Sequence, residues 1–240
     1  MKNTIDYIIN EAPYWLIFVG VTVQFLFMYF VLGRLFLKFF KLLESKGKAS
    51  KIHPGIISKR QRNFEIKHSI VSIFIFGLTA LPLIYMIRNG QVTTLANTTR
   101  NVIGGVIFLT VWNELHFFIV HRALHTPWFM KRVHYVHHRS KTPTIESVYS
   151  FHWAEATLLS AVPLTFTIFF PIAPMALIYY PIASILINFA GHSNYRIGDG
   201  TGPNWKLFVT RHNNHHVKGR GTFGFATDIF DKLLTKISRQ

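Results

Sequence analysis

The sequence predicts an all-α integral membrane protein of four to five transmembrane or re-entrant helices, and three observations carry that prediction. Hydrophobic residues make up 50% of the 240 and charged residues only 15%, against roughly 25% in soluble domains. The apolar residues gather into runs of bilayer-crossing length, and mean hydropathy is +0.26. The 26 Lys and Arg, against 10 acidic residues, collect in the connections between those runs. Intrinsic disorder is excluded, and a water-soluble globule is disfavoured. Zero cysteines remove disulfides, thiolate metal sites and cysteine nucleophiles together.

The runs follow in order. Tyr14 to Phe40 is nearly continuous in Leu, Phe, Val, Met and Tyr, longer than a hydrocarbon core of about 30 Å requires. No basic segment with a short apolar stretch and a small-residue cleavage site precedes it, so the run is expected to be retained. His68 to Ile87 is a second span with a kink expected at Pro82, and Val102 to Val120 a third, with Glu114 and His116 inside it. Trp153 to Phe170 and Met175 to Ala190 are two shorter runs parted by Pro171 and Pro174. This hairpin either crosses or only dips into the bilayer. The stretch 44–58 is the expected flexible segment.

The connections alternate in charge. Residues 41–67 carry eight Lys or Arg against Glu44 and Glu65, residues 122–141 carry five, and the tail after His192 carries eight. The first 13 residues and the 89–101 loop are poor in positive charge. By the positive-inside rule the basic connections and the C-terminus are cytoplasmic. A basic nucleic-acid-binding protein is disfavoured, because the charge lies between apolar spans and forms no separate basic domain.

Thirteen histidines are present, and eleven lie between His116 and His216. His121 and His125 form an H-x-x-x-H, one turn apart on a helix face. His134, His137 and His138 form an H-x-x-H-H, which His212, His215 and His216 repeat about 80 residues later. Positions i, i+3 and i+4 share roughly a third of a helix circumference, so each triad is expected to converge. His152, at the mouth of the fourth run, and His192, at the end of the fifth, complete the set. Neutral imidazole is the commonest ligand for first-row metals, and this many exceed one tetrahedral site and suit two adjacent metals. His116 is expected to be a buried polar residue partnered by Glu114 or a carbonyl. Zinc, iron, copper and nickel all accept imidazole. The H-E-x-x-H of a hydrolytic zinc site is absent, and a polyhistidine pair opening on a bilayer suits redox chemistry at C–H bonds. The expected architecture is therefore a membrane bundle with a cytoplasmic, helical, His-rich cap holding two metals. A non-catalytic membrane protein binding metal or haem is the alternative, although haem needs only one or two axial histidines.

These residues resemble the fatty acid hydroxylase/sterol desaturase superfamily of integral-membrane non-haem di-iron oxygenases, over roughly residues 60–234. The resemblance starts at Arg62-Asn-Phe-Glu65-Ile-Lys-His-Ser69. It runs through His121-Arg122-x-x-His125, His134-x-x-His137-His138, Phe151-His152-Trp-Ala-Glu155, Gly191-His192-Ser193 and His212-x-x-His215-His216. It closes at Phe223-Gly224-Phe225…Asp228-Ile-Phe-Asp231. It implies a region 1–66 with one transmembrane helix and a basic loop, then a single catalytic domain over 67–240. It further implies two irons per chain, with zinc able to substitute, O2 as oxidant, and hydroxylation or desaturation of a lipid: sterol, fatty acyl, carotenoid or aminolipid. All the clustered histidines, with His152 and His192, become metal ligands, and Glu155, Glu114 and Arg122 become groups that set ring tautomers or balance charge. Glu114 stands where relatives commonly have Asp, and Trp153 where they have Pro. Asn188 stands where some carry a further His, and is a candidate for that ligand's place through water. An external electron donor, ferredoxin or cytochrome b5-like, is implied, and the expected location is a bacterial inner membrane.

Overall fold

The structure is a computed structural model that describes residues 4–198, 208–219 and 222–237; Lys2, Lys206, Arg220 and Arg239 of the charge pattern lie outside them. A short helix α1 (Thr4–Asn10) turns into α2 (Tyr14–Ser45), which passes through a wider π-type turn at Met28–Leu32. Pro13 starts α2 where its missing N–H costs nothing. The corner is held by Arg88, which donates to the carbonyls of Ile9 at 2.7 Å and Ala12 at 2.5 Å and lies over the Tyr14 ring. Helix α3 (Lys59–Arg88) begins at Ser58, whose hydroxyl accepts from Gln61 N, and runs on through Pro82 as one helix. Helix α4 (Thr99–Leu124) begins in the same way at Thr98.

Without water, backbones in a bilayer pack closely where small residues allow it. Gly77 lets α3 meet α2: a Cβ there would lie 2.5 Å from Thr22 Oγ1. Gly105 lets α4 meet α8 (Pro174–His192), since a Cβ would sit 2.7 Å from that of Ala176. Four helices, α2, α3, α4 and α8, are long and apolar enough to cross a membrane. Their outward faces carry exposed Phe27, Leu35, Phe74, Ile107, Phe108 and Val111, the arrangement expected where the solvent is lipid.

The run 153–170 does not make a fifth long helix. It breaks at Ala161 into α6 (Trp153–Ser160) and α7 (Val162–Thr167), because Pro163 has no N–H to continue the ladder. The broken path is pinned to α4 by His116, whose ring nitrogens meet Leu158 O at 2.9 Å and Thr165 Oγ1 at 3.2 Å, and by Trp112 Nε1 donating to Thr165 Oγ1. Its far end is fixed where Ile172 pairs with Thr94, between the carbonyl of Thr93 and the N–H of Leu95. Segment 153–170 therefore runs from the end of the molecule that holds the histidines to the opposite end, where α1 and the 89–101 loop lie.

At the histidine end, α4 is followed by a helical run at 127–138, here α5, with a π-type turn at Met130–His134, and by a tight turn at Ile145–Tyr149. Strands β1 (Ala49–Lys51) and β2 (Tyr195–Ile197) pair antiparallel. The expected flexible stretch 44–58 thus contains an ordered strand, tied further by Asn194 to both backbone groups of His53. Helices α9 (Phe208–Lys218) and α10 (Ile229–Ile237) close this end. The first long helix packs against the histidine end: Gly33 approaches Ile145 and Phe189 so closely that a Cβ would lie 2.9 Å from the Ile145 side chain.

Candidate metal centre

Nine histidines converge at this end in two adjoining groups. His121, His125, His134, His138 and His215 form one, and His137, His192, His212 and His216 the other; within each group the ligand nitrogens all lie within 4.8 Å of one another. Helical geometry explains the sorting. His121 and His125, His134 and His138, and His212 and His216 are i,i+4 pairs on single faces. The i+3 member of each triad lies about 100° from the i+4 member. Each triad is consequently divided rather than convergent: α5 gives two rings to the first group and His137 to the second, while α9 gives two to the second and His215 to the first. The rings of His138 and His216 stack at 4.9 Å where the groups meet.

Three rings have their tautomers set from behind. His121 Nδ1 donates to Phe223 O at 2.9 Å, and His134 Nδ1 to Glu155 Oε1 at 2.8 Å. His192 Nδ1 meets Ser147 Oγ at 2.9 Å. The Ser147 hydroxyl proton is committed to Thr144 O, so His192 donates here too. In all three the proton sits on Nδ1 and the Nε2 lone pair faces the cluster.

The donor set fits metal ions. His125 Nε2 lies 3.2 Å from His121 Nε2 and 3.0 Å from His215 Nε2; His212 Nε2 lies 3.0 Å from His192 Nε2 and 3.2 Å from His216 Nε2. Two nitrogens sharing a metal at bonds of about 2.0–2.1 Å sit about 2.9 to 3.4 Å apart. The buried Nε2 atoms of His134 and His138 have no hydrogen-bond partner, a costly state that a cation removes. Burial holds the imidazoles neutral: it lowers His125 and His212 to about 4, and with neighbouring rings lowers His138 to about 3. His134, His137, His215 and His216 are driven well below the ordinary histidine range by burial first and the surrounding rings second. Among the described residues no carboxylate belongs to either group.

The other sequence candidates separate. His152 joins neither group; its Nδ1 accepts from Ala154 N and caps α6. Glu155 reaches His134 directly. Glu114 acts one step removed, accepting from the N–H groups of Phe225, Ala226 and Thr227 and from the Thr227 hydroxyl. With Asp231, which accepts from Phe223 N and Gly224 N, it clamps the 222–231 segment whose Phe223 carbonyl orients His121. Arg122 is exposed. Asn188 donates its amide to Ser184 O one turn back on the same helix. Asn213 ties α9 to Gly191 O beside His192. Sequence reasoning missed Ser147, for which no motif gave a signal. Glu65, part of the motif that opens the resemblance but given no role there, is buried, accepts from Thr144 and Gln61 and anchors the loop bearing Ser147.

A cavity of about 220 Å³ runs through the bundle below the rings, bounded at the histidine end by Phe151, Phe117 and Phe225 and at the opposite end by Ile8 and Ile9. Phe151 packs on His137 and Phe117 on His121, at ring separations of 4.9 and 4.8 Å. No charged side chain and no histidine lines it among the described residues.

The fatty acid hydroxylase family model matches residues 106–235, which include every one of the nine clustered histidines together with Glu155 and the clamped 222–231 segment. The chain belongs to the fatty acid hydroxylase family. Among curated relatives of this fatty acid hydroxylase family member, methylsterol monooxygenase 1-1 of Arabidopsis thaliana is 27% identical over 162 residues, covering 64% of the chain and 53% of the relative. Delta(7)-sterol 5(6)-desaturase of Leptosphaeria maculans is 25% identical over 197 residues, covering 78% and 52%. The chain thus spans about half the length of the curated relatives it matches. No solved structure matches it. The Arg62–Ser69 segment lies ahead of the family match, and its Glu65 and Ser69 hold the 144–147 turn.

Proposed function

We propose that this chain is a membrane-bound oxidoreductase in which nine histidines hold two irons and a C–H bond of a lipid is hydroxylated or desaturated with O2. The observation that carries the reading is the juxtaposition of two neutral-imidazole groups with the closed end of an apolar cavity. The bound metals supply O2 activation, the chemistry that C–H bonds otherwise resist.

The chain's own residues do the rest. His121, His134 and His192 are held as Nδ1–H tautomers by Phe223 O, Glu155 and Ser147, so their Nε2 lone pairs are aimed before metal arrives. Phe117 and Phe151 separate the rings from the cavity and exclude water there. Apolar walls take the substrate from the bilayer without desolvating charge. Electrons come from a separate acidic donor, for which the basic histidine end, facing the cytoplasm, offers complementary charge.

Comparative lipid mass spectrometry of cells with and without the chain tests the reading. A product heavier by one oxygen or lighter by two hydrogens, lost in His137→Ala and His215→Ala variants that still insert and accumulate, supports it. An unchanged lipidome with a metal-loaded protein overturns it.

A further inference from the structure

We propose that Asn113 is the polar anchor of the substrate cavity and that the cavity takes an uncharged lipid alcohol. The inference rests on the functional reading above and narrows its substrate class.

Asn113 lies on α4, is 6% exposed, and lines the cavity. Its amide has no hydrogen-bond partner among the described residues. Tyr149, Tyr180 and Ser184 also contribute hydroxyls to the wall, but Asn113 is the amide in it without a partner, since the four other polar side chains that follow are committed. Gln24 donates to Ile178 O at 2.8 Å, Thr79 to Ser160 Oγ at 2.9 Å, Ser160 to Thr157 O, and Asn188 to Ser184 O. A primary amide left unpaired in an apolar, membrane-embedded wall is costly, and water is scarce at that depth. A ligand group removes the cost.

The amide sets the chemistry of that group. It both donates and accepts, and a hydroxyl is the smallest neutral group that answers both. A carboxylate or phosphate is disfavoured, because the wall offers no positive side chain to repay its desolvation. Position adds a second constraint. Asn113 lies eight residues before His121 on one helix, about 12 Å along the axis, with Phe117 between them and also in the wall. A lipid anchored at Asn113 by its hydroxyl therefore presents a carbon several bonds away to the histidine end.

Binding of defined probes to the metal-loaded full chain in nanodiscs tests this without turnover. The straight-chain set is hexadecane, hexadecan-1-ol and hexadecanoate; the ring set is cholestane and cholesterol. In at least one set the alcohol should bind about threefold to tenfold more tightly than its hydrocarbon, and in the straight-chain set more tightly than the anion. The set with the larger difference names the skeleton. Asn113→Leu should erase the preference while metal content stays at the wild-type value, and Asn113→Ala gives the same readout with less added bulk. Equal affinity for alcohol and hydrocarbon in both sets, tightest binding of hexadecanoate, or a preference that survives both variants overturns the proposal. An alcohol preference in a protein that oxidises no lipid leaves the anchor standing and sinks the functional reading instead.

Discussion

Phe223 offers its backbone carbonyl to His121 Nδ1 at 2.9 Å across 102 positions of chain. That carbonyl is placed by two carboxylates: Asp231 gathers the N–H groups of Phe223 and Gly224, and Glu114 gathers those of Phe225 to Thr227. Gly224 is indispensable to the turn, because a Cβ there would overlap the Thr227 carbonyl. Gly224→Ala is therefore expected to release His121 and weaken metal retention in the five-histidine group by about 10- to 100-fold. Metal per chain after a chelator challenge should fall toward half, with the four-histidine group still loaded. Loss from both groups together, or from neither, counts against the relay.

Glu155 and His134 make the parallel case from inside the fold. Both side chains are 1% exposed and their contact is 2.8 Å. Glu155→Leu leaves the Nδ1 proton of His134 without an acceptor and should cost about 10- to 100-fold in metal affinity. Glu155→Gln keeps an acceptor oxygen and should recover most of it. Competitive metal titration of the two variants separates tautomer control from packing, since Gln and Leu fill similar volumes.

His152 and His192 are both lone histidines at run ends, yet the structure gives them different work. His192 stands 3.0 Å from His212, Nε2 to Nε2, whereas His152 spends its Nδ1 on a helix cap. His192→Ala should empty the four-histidine group. His152→Ala should cost about 1 kcal/mol of stability and leave metal content untouched, and His152→Asn, a good cap, should cost less. A metal-poor His152→Asn protein would contradict this assignment.

How much of this was legible beforehand depends on range. The spans were readable because bilayer length and apolarity are local properties, and the His triads because helical spacing is local. The division of each triad was not, because it requires knowing that α5 and α9 face each other. Likewise nothing in the sequence around Ser147 distinguishes it from any other serine; its role exists only once α8 brings His192 beside it. The broken path at Ala161 was not legible: 153–170 reads as one apolar run, and neither the break at Pro163 nor the contact of His116 with Leu158 O is visible in it. Glu114 was singled out on resemblance as a partner of the rings, and it proves to hold the loop that holds a ring.

Acid should destabilise the protein, with a sign that follows from burial. His125, His138 and His212 have folded-state values of about 4, about 3 and about 4 against an ordinary 6.5. As pH falls below 6.5 the unfolded chain takes up these protons and the folded chain does not, so stability is complete above about 6.5 and declines toward about 4. Protons also compete with metal for the same Nε2 atoms. The melting temperature of the metal-free protein should drop steadily through this window, and metal should leave within it. A melting temperature that is flat from pH 7 to 4 would mean the rings are far more solvated than their geometry indicates.

Topology supplies the last prediction. Among the described residues four helices have crossing length, and an even count would place the two chain ends on one side. The broken α6–α7 path changes the parity. It starts beside the histidines, where Glu155 meets His134, and ends at Ile172, bonded to the backbone of Thr93 and Leu95 in the loop opposite. Fifteen residues from Trp153 to Thr167 cover only about 22 Å as helix, and a turn at 168–170 followed by residues 171–173 carries the chain on to the opposite loop. Reporters placed at residues 95 and 170 should thus report the same side of the membrane, and reporters at residue 139 and the C-terminus the other, with the second pair cytoplasmic by the charge of residues 41–67 and 122–141. A reporter at 170 that sides with the C-terminus would make 153–170 a re-entrant hairpin and remove the fifth crossing.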